Sequence, residues 1–345
     1  MLRFLTAGES HGKCLIAILE GLPAGLKLNA AKIDAELKRR QSGYGRGPRM
    51  KIEKDKVQIL SGLRKGLTLG SPIALKIDNK DFSIEKLPNE TAPRPGHADL
   101  AGAIKYGFSD IRNVLERASA RETAARVAVG AVCKTFLDEF NINITGRVIM
   151  VAGKRTKEAI KKEIDEAAKN KDTLGGIFEV EAKGVPIGLG SYVHYDRRLD
   201  TRLAAILMSI PGVKALEFGL GFDYANKSGS EVQDVIFYNK KRGFYRKTNN
   251  AGGIEGGISN GEPVIIKCCM KPISTLANPL DSVNINTKKP TKANIQRTDI
   301  CVLWAAGVIA ENVVAFELSN AILEKFGGDS IKETKGNFQS YLKNI

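Results

Sequence analysis

The stretch SARETAARVAVGAVCKTFLDEF, residues 119–140, decides the fold class, because it holds no proline and no paired glycine and is rich in alanine, valine, arginine and glutamate. Such a run predicts a helix. Ser119 and Glu122 fit the S-x-x-E capping pattern at its start, where the hydroxyl takes a free amide and the carboxylate reaches back to the cap. Towards the C-terminus the pattern predicts a strand over 143–151, a helix over 156–170 and a strand over 177–182, then a second set near 203–208, 215–219 and 263–270. This recurring order hints at two similar halves, without a repeat at residue level. Towards the N-terminus, residues 15–19 read as a strand and Asn29 introduces a helix from Ala30 to Arg40. Residues 57–63 and 71–77 carry apolar clusters between Gly and Asn/Asp turn signals, the pattern of sheet strands.

Residues 80–98 contain Pro88, Pro93 and Pro95 and read as an ordered loop. The last element, 306–326, is a long apolar helix that Gly327-Gly328 is expected to stop in the left-handed region. Residues 329–345 are expected to form a peripheral tail. The G-x-G-x-x-G turn after a first strand is missing, so helices with largely antiparallel strands indicate an α+β class and not a doubly wound parallel sheet. No Pro/Ser-rich linker divides the chain, and a single domain over 1–345 is expected.

With 345 residues, 43% hydrophobic and 26% charged, the chain has ordinary globular composition, which excludes disordered and fibrous classes. The longest apolar run, Cys301 to Ala310, stops at Glu311, well short of the roughly 20 residues that cross a bilayer. The first residues lack the apolar core of a secretory signal, so no membrane association and a cytoplasmic location are expected. Five cysteines without C-x-x-C spacing argue against a disulfide framework and a zinc site. Cys268 and Cys269 are adjacent, so on a strand they would face opposite ways.

A net charge of +15 needs a partner or an explanation. Lys38, Arg39, Arg40, Arg46, Arg49 and Lys51 follow one another with no acid among them, threaded through Gly43, Gly45 and Gly47. The arginines make this loop a candidate grip for phosphate or carboxylate, and a solvated basic loop is the competing reading. Only three histidines occur. His11 lies in GESHG and His97 in RPGHAD, each beside a glycine that lets a substrate approach, which suits proton exchange near neutral pH. His194 reads as structural or superficial. GESHG is not the G-x-S-x-G nucleophile elbow, and two histidines without clustered carboxylates or thiolates give no metal site. Arg117, Ala118 and Ser119 stand where a helix start favours an anion. The glycine-rich segment 251–261 offers bare backbone, Lys271-Pro272-Ile273-Ser274-Thr275 a cation and two hydroxyls, and Arg297 a further cation.

In chain order, GESHG (8–12), RRQSGYGRGPRM (39–50), RPGHADL (94–100), RASARETAARVAVGA (117–131), AGGIEGGIS (251–259), KPIST (271–275), RTDIC (297–301) and EKFGGD (324–329) resemble the chorismate synthase family over nearly the whole chain. The resemblance implies a β-α-β sandwich of antiparallel sheets and helices, and the anti 1,4-elimination of phosphate from 5-enolpyruvylshikimate 3-phosphate to give chorismate. It implies reduced FMN, although no net oxidation occurs; because no insertion for direct reduction is visible at this length, NADPH is expected to enter only through an external flavin reductase. It implies a homotetramer, while the composition leads to the expectation that neither nucleic acid nor membrane is bound. By the same resemblance His11 protonates the departing phosphate and His97 lies beside the reduced isoalloxazine. Arg40 and Arg46 face the phosphorylated ligand or NADP. Arg117, Ala118, Ser119, Gly256, Lys271, Pro272, Ile273, Ser274, Thr275 and Arg297 contact FMN.

One departure stands out: the family's Leu-Ala-Asp in the closing helix, whose carboxylate is thought to help deprotonate the flavin, is Leu318-Ser319-Asn320 here. An amide is no base, so either the proton leaves through another group, with Asp299 the expected one, or turnover is slower than in relatives, and Asn320→Asp is expected to raise the rate. Trp304 and Thr298 also replace residues more usual in the family. Two other classes compete. A basic RNA-binding protein would use the charge, but aromatics are only 6% and no RNA-binding motif accompanies the loop. A flavin reductase using NAD(P)H directly would need an added insertion, and none is visible.

Overall fold

The computed structural model describes residues 1–47, 54–295 and 299–344. Arg297 and Thr298, like Arg49 and Lys51 of the basic loop, lie outside the described residues. Two four-stranded antiparallel sheets form the outer layers. The first runs Arg3–Ala7, Cys14–Glu20, Ile73–Asp78, Val57–Ile59 across the sheet, and the second Asn143–Val151, Gly176–Lys183, Val264–Met270, Val213–Phe218. With strands counted along the chain inside each sheet, both follow the order 1-2-4-3, so the two halves suggested by element order share a topology. Alternation sets the faces. In the first sheet Leu15, Ala17 and Leu19, with Ile73, Leu75 and Ile77, are buried on one side, while Leu5 and Ile18 pair on the exposed side.

The buried faces need helices. Ala30–Gln41 and Thr123–Asp138 cover the first sheet, and Leu199–Met208 and Leu303–Phe326 the second. The two helical layers meet where Thr123–Asp138 runs against Leu303–Phe326, which completes the β-α-β sandwich. Gly130 permits that seam, because a Cβ there would lie 2.3 Å from the Asn312 carbonyl oxygen. One apolar cluster runs through all these layers, from Leu2 to Phe338. Leu303–Phe326 is long and apolar enough to cross a membrane, but its Ala and Val faces are buried in this seam.

The structure revises three expectations. The helix expected from Ser119 begins at Thr123, after a 3-10 turn over Ala120–Glu122. Ser119 Oγ accepts from the Arg121 amide (3.3 Å), but Glu122 turns to Thr6 Oγ1 (2.7 Å) and Arg126, so the reciprocal half of the capping box does not form. Arg117 and Ala118 instead close a separate helix, Arg112–Ala118. Gly327 does stop the last long helix at positive φ (+60°), yet with ψ −159° it leaves in an extended direction, outside the left-handed helical region. The tail is a helix docked on the core by two buried residues, Thr334 and Phe338. It spans Ile331–Leu342, capped by Ser330, and sets Phe338 edge-on against Phe140 and Phe326 at 5.1 and 5.2 Å. Ile331, Thr334 and Phe338 are spaced as one helical face, which explains why so short a segment docks.

Candidate active site

The first strand ends in the loop Gly8–Gly12, which Gly8 opens at φ +107°. A side chain at Gly8 would collide with the Cys14 carbonyl 2.3 Å away. Asn79 ties the loop down by donating to the Glu9 and Gly12 carbonyls (3.1 and 2.7 Å). Glu116, on the helix Arg112–Ala118, accepts from the His11 amide (2.8 Å), and its oxygens lie 3.0 and 3.1 Å from His11 Nδ1. Burial raises the Glu116 carboxyl, but the His11 bonds and the Arg112 charge outweigh it and hold the group below the usual carboxylate range.

His97 belongs to a second knot. Asp99, fully buried, accepts from the backbone and Nε of Arg94 (3.0 and 2.9 Å) and pairs with His97 Nδ1. Burial again works against its charge, yet the bonds from His97 and Arg94 win and the Asp99 carboxyl falls far below its ordinary value. Arg94 Nη1 also donates to Thr275 Oγ1 (2.6 Å). From the same segment Lys271 Nζ and Ser274 Oγ both donate to the Gly96 carbonyl. The KPIST segment therefore clamps the RPGH loop, although about 175 residues separate them in sequence. Burial and the nearby Lys214 charge lower the Lys271 ammonium.

A third knot gathers arginines. Arg121 bonds both oxygens of Asp55 (2.7 and 2.8 Å) and Asn79 Oδ1 (2.9 Å). Arg40 lies 3.7 Å from the same carboxylate, and Arg46 pairs with Asp299 at 3.1 Å. Burial takes the Arg40 guanidinium down to about 10, and the neighbouring Arg121 and Arg46 charges add to the shift that Asp55 resists. Arg40 Nε is buried without a hydrogen-bond partner among the described residues. Asp299 also accepts from the Gly47 amide, and the Ile300 amide donates to the Gly45 carbonyl (2.8 Å), which fixes the basic loop to the segment before the last long helix.

The three knots surround one cavity of about 430 Å³. Its wall includes His11, His97, Arg40, Arg46, Ala118, Ser119 and all of Lys271, Pro272, Ile273, Ser274 and Thr275. Arg94, Arg121, Glu116 and Asp299 join them, giving five cationic residues and two carboxylates besides the histidines. Not every expected residue arrives. Arg117 turns away, donating to the Gly8 and Thr6 carbonyls (2.9 and 3.0 Å) beside a shallower groove. Gly256 sits in the hairpin of Ile254–Glu255 and Ile258–Ser259, off the cavity wall. Asn320 is no part of the wall either: its Oδ1 accepts from the Leu2 amide (2.9 Å) and anchors the N-terminal strand. It lies eleven residues beyond Ile309, the last cavity residue on that helix, roughly 16 Å along the axis. No candidate metal cluster of His, Cys, Asp or Glu occurs among the described residues. The five cysteines are free, with Cys268 buried and Cys269 exposed as alternation requires.

Sequence reading passed over Arg94, Asp99, Glu116, Asp55 and Asn79. Asp99, two residues after His97, was the one such partner with a local signal. A profile of the chorismate synthases matches residues 2–323. The chain belongs to the chorismate synthase family. Chorismate synthase of Thermoanaerobacter pseudethanolicus is 56% identical over 99% of this chain and 98% of its own length. That of Geobacter sulfurreducens is 52% identical over 100% and 99%. A crystal structure of a chorismate synthase superposes with a TM-score of 0.83 at 42% identity, covering 99% of this chain and 98% of the other. The chain thus carries the family's activity, that of a lyase of aromatic amino acid biosynthesis that eliminates phosphate from 5-enolpyruvylshikimate 3-phosphate. The family implies a reduced flavin. The cavity suits anionic ligands of that kind: Arg40 Nε is a buried donor without a partner among the described residues, and three guanidiniums share the two carboxylates Asp55 and Asp299.

Proposed function

We propose that this cavity holds the phosphorylated substrate against FMN, with His11 as the acid for the departing phosphate and His97 beside the flavin ring. Arg40 and Arg46 grip the phosphorylated ligand. Ala118, Ser119 and the segment Lys271 to Thr275 line the flavin side. The observation that carries this reading is that both histidines open on the one cavity where the cations converge. When bound, the reduced flavin supplies electron density for loss of phosphate without net oxidation.

The chain's own groups account for the rest. Guanidiniums in a partly dry cavity neutralise phosphate as its charge develops, which is where fixed cations contribute most. His11 passes a proton to the phosphate oxygen as the carbon–oxygen bond breaks. Asp299, held by Arg46 and the Gly47 amide, is the carboxylate that receives the proton lost in the elimination. Reduced FMN reaches the protein from a separate NADPH-dependent reductase, in a cytoplasmic homotetramer of single-domain chains. Anaerobic titration separates the cofactor readings: reduced FMN binds at least tenfold more tightly than reduced riboflavin, because only FMN carries phosphate. Equal affinity overturns the choice of FMN. His11→Asn and His97→Asn each lower phosphate release by roughly 10²–10⁴-fold, the range of general acid–base catalysis, and unaltered turnover removes that residue's role.

A further inference from the structure

We propose that Glu116 is the positioning residue that fixes the His11 ring as its Nδ1–H tautomer, so that every proton His11 gives to the cavity leaves from Nε2. The inference deepens the reading of His11 as the acid and rests on it. Glu116 grips the Ser10-His11 dipeptide at three points. Its carbonyl accepts from the Ser10 amide (3.0 Å), its Oε2 accepts from the His11 amide (2.8 Å), and its carboxylate lies 3.0 Å from His11 Nδ1. The Glu116 side chain is 3% exposed, so water does not substitute for these contacts. An ionised carboxylate has only acceptors. The hydrogen between the two groups therefore sits on Nδ1, and Nε2 has no protein partner among the described residues.

The consequence is a one-way proton path. In the imidazolium form Nε2–H is the only ring proton not committed to protein. When the carbon–oxygen bond of the substrate breaks, the phosphate oxygen takes that proton and His11 is left neutral, already in the tautomer that Glu116 holds. Solvent then returns a proton to Nε2. Arg112, 3.9 Å from Glu116, is the other charge facing the carboxylate, and it favours ionisation. His97 is held differently, because its carboxylate partner Asp99 is shared with Arg94.

Nitrogen-15 NMR of the ring nitrogens in the full chain tests the proposal, and with only three histidines present the signals are assigned by His97→Asn and His194→Asn. At a pH where His11 is neutral, its Nδ1 carries the hydrogen. An Nε2–H ring in the unmodified protein overturns the proposal without reference to any variant. In Glu116→Gln the ring moves towards the Nε2–H tautomer, because the new amide can donate to Nδ1. Turnover falls at least about 100-fold, with KM changed less than about threefold. Glu116→Asp, which keeps the acceptor, recovers part of the rate and the original tautomer. Unchanged tautomer and turnover in Glu116→Gln count against Glu116 alone if His11→Asn is slow, whereas a fast His11→Asn removes the underlying reading of His11.

Discussion

Asp99 shows at residue scale how the site is held together. It is fully buried and keeps its charge because Arg94 and His97 close on it. Its folded pKa lies below the unfolded value of about 3.9, so its contribution to stability is complete above that pH and is lost as pH falls towards the folded value. Asp99→Asn leaves Arg94 buried without its partner and costs roughly 3–5 kcal/mol at pH 7. Urea unfolding of both proteins checks this, and the gap between them narrows once the pH drops below about 4. Asn320 behaves in the opposite way. Because its amide oxygen serves the Leu2 amide and not the cavity, Asn320→Asp leaves turnover within about twofold of the parent, a surface-type effect. That outcome replaces the rate gain expected from sequence, and a steady-state assay with reduced flavin decides it. His11 and His97 were legible because each stands in a short glycine-bearing motif. Glu116 and Asp55 were not: their partners are 105 and 66 residues away, and no local pattern announces an ion pair across such a gap.

At the scale of elements, strands and helices with a simple apolar period were readable. The strand Asn143–Val151 and the helix Ala30–Gln41 fall where alternation and an Asn cap put them. Arg112–Ala118 was missed, since seven residues with two arginines and a glutamate give no apolar stripe. The start of Thr123–Asp138 was displaced because Glu122 found Thr6, a partner that only the tertiary fold supplies, as well as Arg126 one turn along the same helix. The tail helix was not legible for a related reason: its charge hides a face of few apolar residues that meets Phe140 and Phe326. Phe338→Ala removes that contact and costs roughly 3–4 kcal/mol, at the lower end of buried Phe truncations. Thermal unfolding should show a lowered Tm with kcat unchanged, as Phe338 is not on the cavity wall.

For the whole molecule, the charge of +15 has a local as well as a general meaning. Five of the cationic residues face one cavity, so the field is focused where anionic ligands enter. The value of kcat/KM should fall as ionic strength rises from about 0.01 to 0.15 M, over which the screening length shrinks from about 30 to 8 Å. A salt-independent value would mean that capture owes nothing to the field. Composition announced the excess charge but not its convergence, because the cavity is assembled from both halves of the chain. His11 and His97 come from the first half, and the KPIST clamp from the second. The matching strand orders were only hinted at by the succession of elements, since topology leaves no trace that residue-by-residue comparison detects.

The seam at Gly130 reaches further than helix packing. Thr123 at one end of Thr123–Asp138, and Ala306 and Ile309 near the start of Leu303–Phe326, belong to the cavity wall. The same two helices touch backbone to side chain at Gly130 and Asn312. They act as the arms of a calliper whose pivot is a bare methylene and whose tips border the cavity. Width at the tips is thus set about two turns from Thr123, by a residue too small to prop the arms apart.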